Sequence, residues 1–254
     1  NHNVHSVRVL DDMVNWNISL QTLDGILCHN GELELKEYRP CEMSTFVEYD
    51  KKVEACYVDE KAIGELIPCT LEGCVMRICD IIAYLGKDRQ DAMRLNLLKE
   101  SPFTAGAIGT SNGEIINNFS VNIIENSYGK DYLKMDEEYF DALRQAKKEN
   151  YEMIYNNKSL NDLYENEIRP MFGELYEELL RQAESGDKSS VFYRHHMAYM
   201  EKNNFYVKSH VRKPYAEQEK NQLVVDYLAS MTDDYFIALY HYLFPKGKHD
   251  VKFV

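Results

Sequence analysis

Between Pro68 and Asp91 the chain reads P-C-T-L-E-G-C-V-M-R-I-C-D-I-I-A-Y-L-G-K-D-R-Q-D. Leu71, Val75, Ile78, Ile82 and Leu85 recur there at three- and four-residue steps, the period of a helix with one buried stripe. Pro68 stands just before the pattern and Thr70 has the side chain of an N-cap, so a long helix is predicted to start at that point. Beside the stripe, Asp80, Tyr84 and Asp88 lie four residues apart. That spacing stacks a carboxylate, a phenol and a second carboxylate on one side of the helix. Polar groups held against an apolar stripe lose hydration unless they meet partners, and the arrangement therefore predicts a site.

The rest of the chain also reads as helical. With 12 Gly and 6 Pro in 254 residues, a turn-rich β architecture is disfavoured and an all-α fold is expected. The 44% hydrophobic content is ordinary for a globular protein, and no apolar run approaches the ~18 residues of a membrane span. A net charge of −13 argues against nucleic-acid binding over the whole surface. It leaves room for a local basic pocket that takes a phosphorylated small molecule. The cysteines, Cys28, Cys41, Cys56, Cys69, Cys74 and Cys79, all fall in the first third without a C-x-x-C pair. Cys69, Cys74 and Cys79 belong to the apolar helix and are expected to be buried thiols. With no signal peptide before them, a reducing, cytoplasmic setting is expected.

Residues 2–14 form an amphipathic pattern with Val4, Val7, Leu10 and Val14 on one face. His2 stands at its exposed start, where a solvated terminal histidine is the plain expectation. Ser19 is placed to cap a second helix through Leu20, Leu23, Ile26 and Leu27, ending near His29. His29 either caps that helix or faces a cleft. Residues 33–66 are charged and mixed, an excursion with one or two short helices. Ser101–Gly113 reads as a connector, since no G-K-[ST] follows its glycines. Helices are expected over residues 115–127 and Met135–Tyr155, and on both sides of Pro170, which should end or kink the last of these. His195 and His196 are adjacent, point about 100° apart on a helix, and read as a surface pair. Lys202, Lys208, His210, Arg212 and Lys213 form the densest basic cluster, either an anion contact or a solvated face. One apolar helix is expected over residues 222–244. His249-Asp250 sits in a charged tail and reads as coincidental.

Several segments, taken in order, resemble the HD-domain deoxynucleoside triphosphate triphosphohydrolases. They are H-N-x-x-S-x-R-x-L at His2 to Leu10, T-L-x-G-I-L at Thr22 to Leu27, and T-L-E-G-x-V-x-R-I-x-D-x-I-A-Y-x-x-x-D-x-x-D-A at Thr70 to Ala92. D-Y-L-A-x-M-T-D-x-Y follows at Asp226 to Tyr235, and I-I-E-N-S at Ile123 to Ser127 is similar to the family's C-terminal half. The resemblance implies a partial HD-domain helical bundle with a helical C-terminal extension. Residues 1–100 would be the C-terminal part of the HD core, and residues 101–254 a helical region packed on it. The implied activity is hydrolysis of a dNTP to a deoxynucleoside and triphosphate. Asp80 matches a ligand of the family's divalent metal, of the Mg, Mn, Fe, Ni or Zn class. Tyr84 and Asp88 match positions that recognise the sugar and its 3′-hydroxyl. His2 matches a histidine lying near the phosphates and becomes the catalytic candidate. Arg77 and Lys87 are candidates for phosphate contacts, with Arg77 alternatively a buried ion-pair partner. A homo-oligomer is implied as well, with nucleic acid entering only as an allosteric ligand.

In that family a metal-binding His and a His-Asp dyad stand upstream of the position of His2, whereas this sequence opens at Asn1. A lone Asp80 cannot hold a catalytic metal. The expectation is a chain that by itself neither binds that metal nor hydrolyses dNTPs, although its parent does. Two other readings stay open: an HD phosphohydrolase for another nucleotide, and a non-catalytic nucleotide-binding or assembly subunit.

Overall fold

The computed structural model describes residues 1–14, 16–30, 34–98, 103–203 and 214–251. The chain forms two compact units, one of Asn1–Leu10 with Asn17–Asn157, the other of Asp11–Trp16 with Lys158–Val254. The fold is all-α, as expected; the strands among the described residues, β1 (Glu37–Tyr38) and β2 (Leu133–Lys134), form a two-residue antiparallel bridge.

The first unit opens with α1 (His2–Arg8), which runs into a π-helical turn over Val9–Met13 instead of continuing as one helix to residue 14. Ser19 caps α2 (Leu20–Cys28) by accepting the Thr22 N–H at 3.3 Å. The excursion that follows carries two helices. α3 (Phe46–Val58) starts in a reciprocal Thr45–Glu48 capping box, and α4 (Glu60–Gly64) follows the Asp59 cap. Thr70 caps α5 (Leu71–Arg94) by accepting the Gly73 N–H at 3.0 Å. After the connector, a Ser111–Glu114 box starts α6 (Asn112–Ser127), and Asp136 caps α7 (Glu137–Asn150). Three apolar clusters lie within this unit among the described residues, the smallest gathering Ala92, Phe103 and Ile154. One gathers Val4, Val7, Leu23 and Leu27 with Tyr49 and Leu66. Another gathers Ile78, Ile81 and Leu85 of α5 with Ile115, Phe119 and Leu143.

The buried stripe of α5 differs from the expected one at a decisive position. Val75 is 42% exposed, whereas Cys74 and Ile81 are fully buried. Val75 lies about 100° round the helix from Cys74, and α5 packs against α2 and α6 together, so the stripe is centred on the Cys74, Ile78, Ile81 and Leu85 side. By the same rotation Cys79 is exposed, and Cys69, which precedes the Thr70 cap and lies outside α5, is only half-buried; both correct the expectation of three buried thiols in the helix.

Asp24 of α2 is fully buried and ties three segments. It accepts from Lys52 Nζ at 2.6 Å, from the Cys69 N–H at 2.6 Å and from the Cys28 thiol at 3.5 Å. Burial pushes the Cys28 thiol far above its usual range, so it stays protonated and unreactive.

In the second unit α8 (Lys158–Leu163) passes through a π-helical turn over Tyr164–Ile168 into α9 (Arg169–Ser185). The turn absorbs the kink expected of Pro170, which sits in the first turn of α9. Gly186, at φ 67°, ends α9 in the left-handed conformation. A π-helical turn over Tyr193–Met197 leads to α10 (Ala198–Asn203). The expected last helix is instead two, α11 (Lys220–Ala229) and α12 (Asp233–Leu243). Thr232 accepts the Tyr235 N–H at 3.3 Å, and Asp233 and Asp234 favour a new helix start there. His196 is buried at 4% exposure, stacked on Tyr227 with ring centres 4.9 Å apart and bonded to the Tyr215 hydroxyl at 2.8 Å. It is therefore no surface histidine; His195 is, bonded to Tyr235 at 2.7 Å. His249 is also buried, meeting Glu167 at 3.0 Å. Lys208, His210, Arg212 and Lys213 of the basic cluster lie outside the described residues.

Gly86 sets how closely α5 meets the start of α6. A Cβ placed there would stand 2.8 Å from Asn112 Cα and 2.7 Å from its Oδ1. Alanine gains about 1 kcal/mol of helix propensity over glycine, but overpacking against a backbone atom costs about 1–3 kcal/mol. Gly86→Ala is expected to lower the thermal midpoint, whereas the exposed Gly113→Ala, which meets nothing within 4 Å, is expected not to. Calorimetry of the two variants checks this.

Candidate functional site

Along α5 the residues Glu72, Met76, Asp80, Tyr84 and Asp88 follow one another at four-residue steps, so they form one ridge that winds round the helix by about 40° per step. Towards its C-terminal end, this ridge borders a cavity of about 490 Å³ lined by Tyr84, Lys147, Asn150, Tyr151 and Tyr155. The volume lies within the range of small-molecule pockets. Asp88 accepts a short hydrogen bond from the Tyr155 hydroxyl. The Tyr155 phenol is pushed above its ordinary range by burial first and by the Asp88 carboxylate second. It therefore remains a proton donor at any physiological pH. Two of the sequence-predicted residues, Tyr84 and Asp88, are thus brought together.

The far wall of the cavity comes from the end of α7 and the π-helical turn Tyr151–Tyr155 that continues it. The i→i+5 turn shifts the chain round relative to an α-helix, and both Tyr151 and Tyr155 line the cavity. Behind this wall lies a buried ionic network. Arg89 is 1% exposed; its Nε donates to Asn150 Oδ1 at 2.7 Å, and its Nη2 donates to the Ala146 carbonyl and to Glu149, each at 3.1 Å. Its guanidinium carbon lies 3.9 Å from the centre of the Phe103 ring. Glu149 also accepts from the Thr104 hydroxyl at 2.6 Å and from Gln145 at 3.0 Å. Burial alone raises the Glu149 carboxyl, but the bonds from Thr104 and Gln145 and the Arg89 charge outweigh it and hold it below its ordinary 4.5.

His2 and His29 meet with Nε2 atoms 3.1 Å apart and ring centres at 4.9 Å. His29 Nδ1 lies 2.6 Å from the Ile26 carbonyl, which only accepts. In the neutral ring Nδ1 therefore carries the proton, Nε2 offers its lone pair, and His2 Nε2–H donates to it. His29 is both the capping histidine and the cleft histidine of the two expectations: it also lines a second cavity of about 810 Å³ with Thr22, Gly25, Thr70, Glu72 and Met76. This cavity borders the N-terminal end of the same α5 ridge, and Asp80, half-buried, stands between the two.

The remaining candidates lie elsewhere. Arg77 is buried inside the first unit and donates to the Leu66 carbonyl. Lys87 is exposed and pairs with Asp91 at 2.9 Å, one turn along α5. Among the described residues no three His, Cys, Asp or Glu side chains converge as metal ligands. Asp80 with its described surroundings does not by itself fit a divalent cation. Tyr155, Asn150 and Lys147 carry no motif: the Tyr155–Asp88 bond joins residues 67 apart, and single-chain spacing gives no signal for such a pair.

Residues 169–242 match the family model described as phosphohydrolase-associated domain. Over 181 residues the chain is 27% identical to a deoxyguanosinetriphosphate triphosphohydrolase-like protein of Caldanaerobacter subterraneus subsp. tengcongensis, covering 70% of this chain and 47% of that one. Proteins with the same description match in Clostridium perfringens, at 26% identity over 247 residues (92% and 57%), and in Clostridium tetani, at 24% over 255 residues (96% and 59%). No solved structure gives a significant match. The chain is thus similar, at 24–27% identity, to deoxyguanosinetriphosphate triphosphohydrolase-like proteins, and part of it matches a phosphohydrolase-associated domain. It spans about half to three-fifths of the length of these curated relatives. Among the described residues no helix is long and apolar enough to cross a membrane.

The Glu149 carboxyl, held below its unfolded value, contributes stability that is present at neutral pH and lost as the pH falls below 4.5. Glu149→Gln leaves the buried Arg89 charge unpaired, a loss of about 3–5 kcal/mol, and removes this part of the acid dependence. Denaturant titrations of wild type and variant are expected to differ widely at pH 7 and to converge as the pH is lowered.

Proposed function

We propose that this chain carries the nucleoside-recognising part of a phosphohydrolase acting on deoxynucleoside triphosphates. The observation that carries the reading is the joining of Tyr84 and Asp88 with Tyr155 at one small cavity, added to the kinship with dGTP triphosphohydrolase-like proteins. In this reading the sugar lies between the Tyr84 and Tyr155 rings, and the Asp88 carboxylate accepts its 3′-hydroxyl. Lys147, which also lines this cavity, is paired with Glu34.

Release of a deoxynucleoside and triphosphate requires water to add across the phosphorus–oxygen ester bond to the sugar 5′ oxygen. A proton must be taken from the water and one supplied to the leaving oxygen. His2 is the imidazole assigned to the phosphate end, with its Nε2–H directed by His29. Asp80 is proposed as one oxygen ligand of a divalent cation that would polarise the phosphate. Since the described donor set is incomplete, no step is derived through that ion. Assembly as a homo-oligomer, nucleic acid acting only as an allosteric ligand, and a cytoplasmic setting suited to six free thiols complete the proposal.

The test is binding by the purified chain, followed by thermal shift and calorimetry. Wild type is expected to be stabilised more by dGTP than by GTP. Asp88→Ala removes a hydrogen bond to a charged acceptor, a loss of about 1.5–3 kcal/mol or about 10–100-fold in affinity. Equal shifts with dGTP and GTP would rule out discrimination of the 2′ position by Tyr84, and an undiminished shift with the 3′-deoxy analogue would rule out the Asp88 role. An equal response to other nucleotides favours a phosphohydrolase of different specificity. Restoring activity to the chain with upstream residues of a relative separates the enzyme from a nucleotide-binding subunit.

A further inference from the structure

The outer face of α7 carries a charge pattern that the fold itself does not explain. Arg144, Lys147 and Lys148 stand at i, i+3 and i+4, so three cations are neighbours on one helix face. Like charges at this spacing repel, and here they do so in a chain whose 42 acidic residues outnumber its 29 Lys and Arg. Lys147 is paired with Glu34. Lys148 comes no closer than 3.9 Å to Glu152, between exposed side chains, where a pair contributes little. Among the described residues Arg144 forms no ion pair; its guanidinium lies 5.9 Å from the centre of the Phe140 ring. The two lysines do not serve a helix end either. Their carbonyls already accept the Tyr151 N–H, and the chain runs on as the π-helical turn to Tyr155.

The three cations line a cavity of about 540 Å³ together with Glu34, Asp141 and Tyr151. With Glu34 engaged by Lys147, Asp141 is the one lining carboxylate left to face Arg144 and Lys148. A neutral ligand would leave the repulsion between the cations in place; a multiply charged oxyanion removes it. The arginine fork meets two phosphate oxygens at once, and a lysine one turn further on adds a point charge. We propose that this cavity binds a phosphate-type polyanion, free or carried by a nucleotide, held by Arg144 and Lys148. The site is separate from the phosphate end assigned to His2, and it does not rest on the sugar-pocket reading. Lys147 and Tyr151 line both this cavity and the Tyr84–Tyr155 cavity, so the ligand would lie against a shared wall.

The experiment is calorimetric titration of the full chain at fixed ionic strength with sodium tripolyphosphate, dGTP and deoxyguanosine. Wild type is compared with the double variant Arg144→Gln/Lys148→Gln. Both side chains are exposed, so the variant is expected to keep the fold, which circular dichroism checks. The double variant is expected to bind the polyanion about tenfold or more weakly, through the loss of hydrogen bonds between charged groups. Arg144→Lys, which keeps the charge but not the fork, is expected to fall between the two. His2→Gln and Asp88→Ala are expected to bind tripolyphosphate as wild type does. A loss seen with tripolyphosphate supports a site for the free anion, and a loss seen with dGTP alone supports a nucleotide-borne one. The proposal is overturned if neither anion binds wild type, if the double variant binds both as wild type does, or if tripolyphosphate binding is lost in His2→Gln instead. Deoxyguanosine, which has no phosphate, is expected to bind wild type and double variant alike. Wild type that does not bind it removes the sugar-pocket reading and leaves the tripolyphosphate result to decide the anion site.

Discussion

The pairing of Arg89 with Glu149 inside the first unit is the interaction on which the rest of this site depends. Both groups are nearly free of solvent, at 1% and 7% side-chain exposure. Burial of an unpaired guanidinium is prohibitive, so α5 and α7 can pack only where the two charges meet. Once they do, Arg89 also donates through Nε to Asn150 and through Nη2 to Ala146, and Glu149 collects Thr104 from the connector before α6. A single ion pair thereby sets the register of two helices and a loop. Ridge packing of Leu85 against Leu143 alone would tolerate a slip of one turn; the charges do not.

A second buried carboxylate does comparable work at the other end of α5. Asp24 joins α2, α3 and the segment before α5 through Lys52 and the Cys69 N–H, so the Thr70 cap and the first turn of α5 are located before any ligand is considered. The helix is thus held by charge at both ends and by apolar contact between them. The middle of its edge, Asp80 to Asp88, is then presented on a support that costs little to keep rigid. Such a support suits hydrogen-bond recognition, where misplacement by an ångström removes most of the gain.

Much of this support is legible in the sequence because it is local. Thr70, Ser19 and the reading of α5 rest on periodicity and capping, which act within a few residues. The Asp80, Tyr84 and Asp88 edge follows from helix geometry alone. What the sequence does not show is set by contacts between distant residues. The rotation of the stripe from Val75 towards Ile81 arises because α5 has two helical neighbours, and a one-dimensional pattern carries no count of neighbours. Tyr155 is reached only through the π-helical turn that follows α7. His196, read as a surface residue because it is polar and beside Arg194 and His195, is buried in aromatic company where the Tyr215 hydroxyl satisfies its ring nitrogen.

The two cavities on α5 differ in a way that follows from these supports. Near Asp88 the Tyr155 hydroxyl donates to the carboxylate, and the Asn150 amide of the same cavity is oriented by Arg89 and the Leu85 carbonyl. Near His29 only the Nδ1 bond to Ile26 is fixed, and the His2–His29 contact shares one N–H between two ring nitrogens. Both ends of α5 are thus tied to neighbouring segments by buried charged groups, Asp24 before its first turn and Arg89 in its last turns.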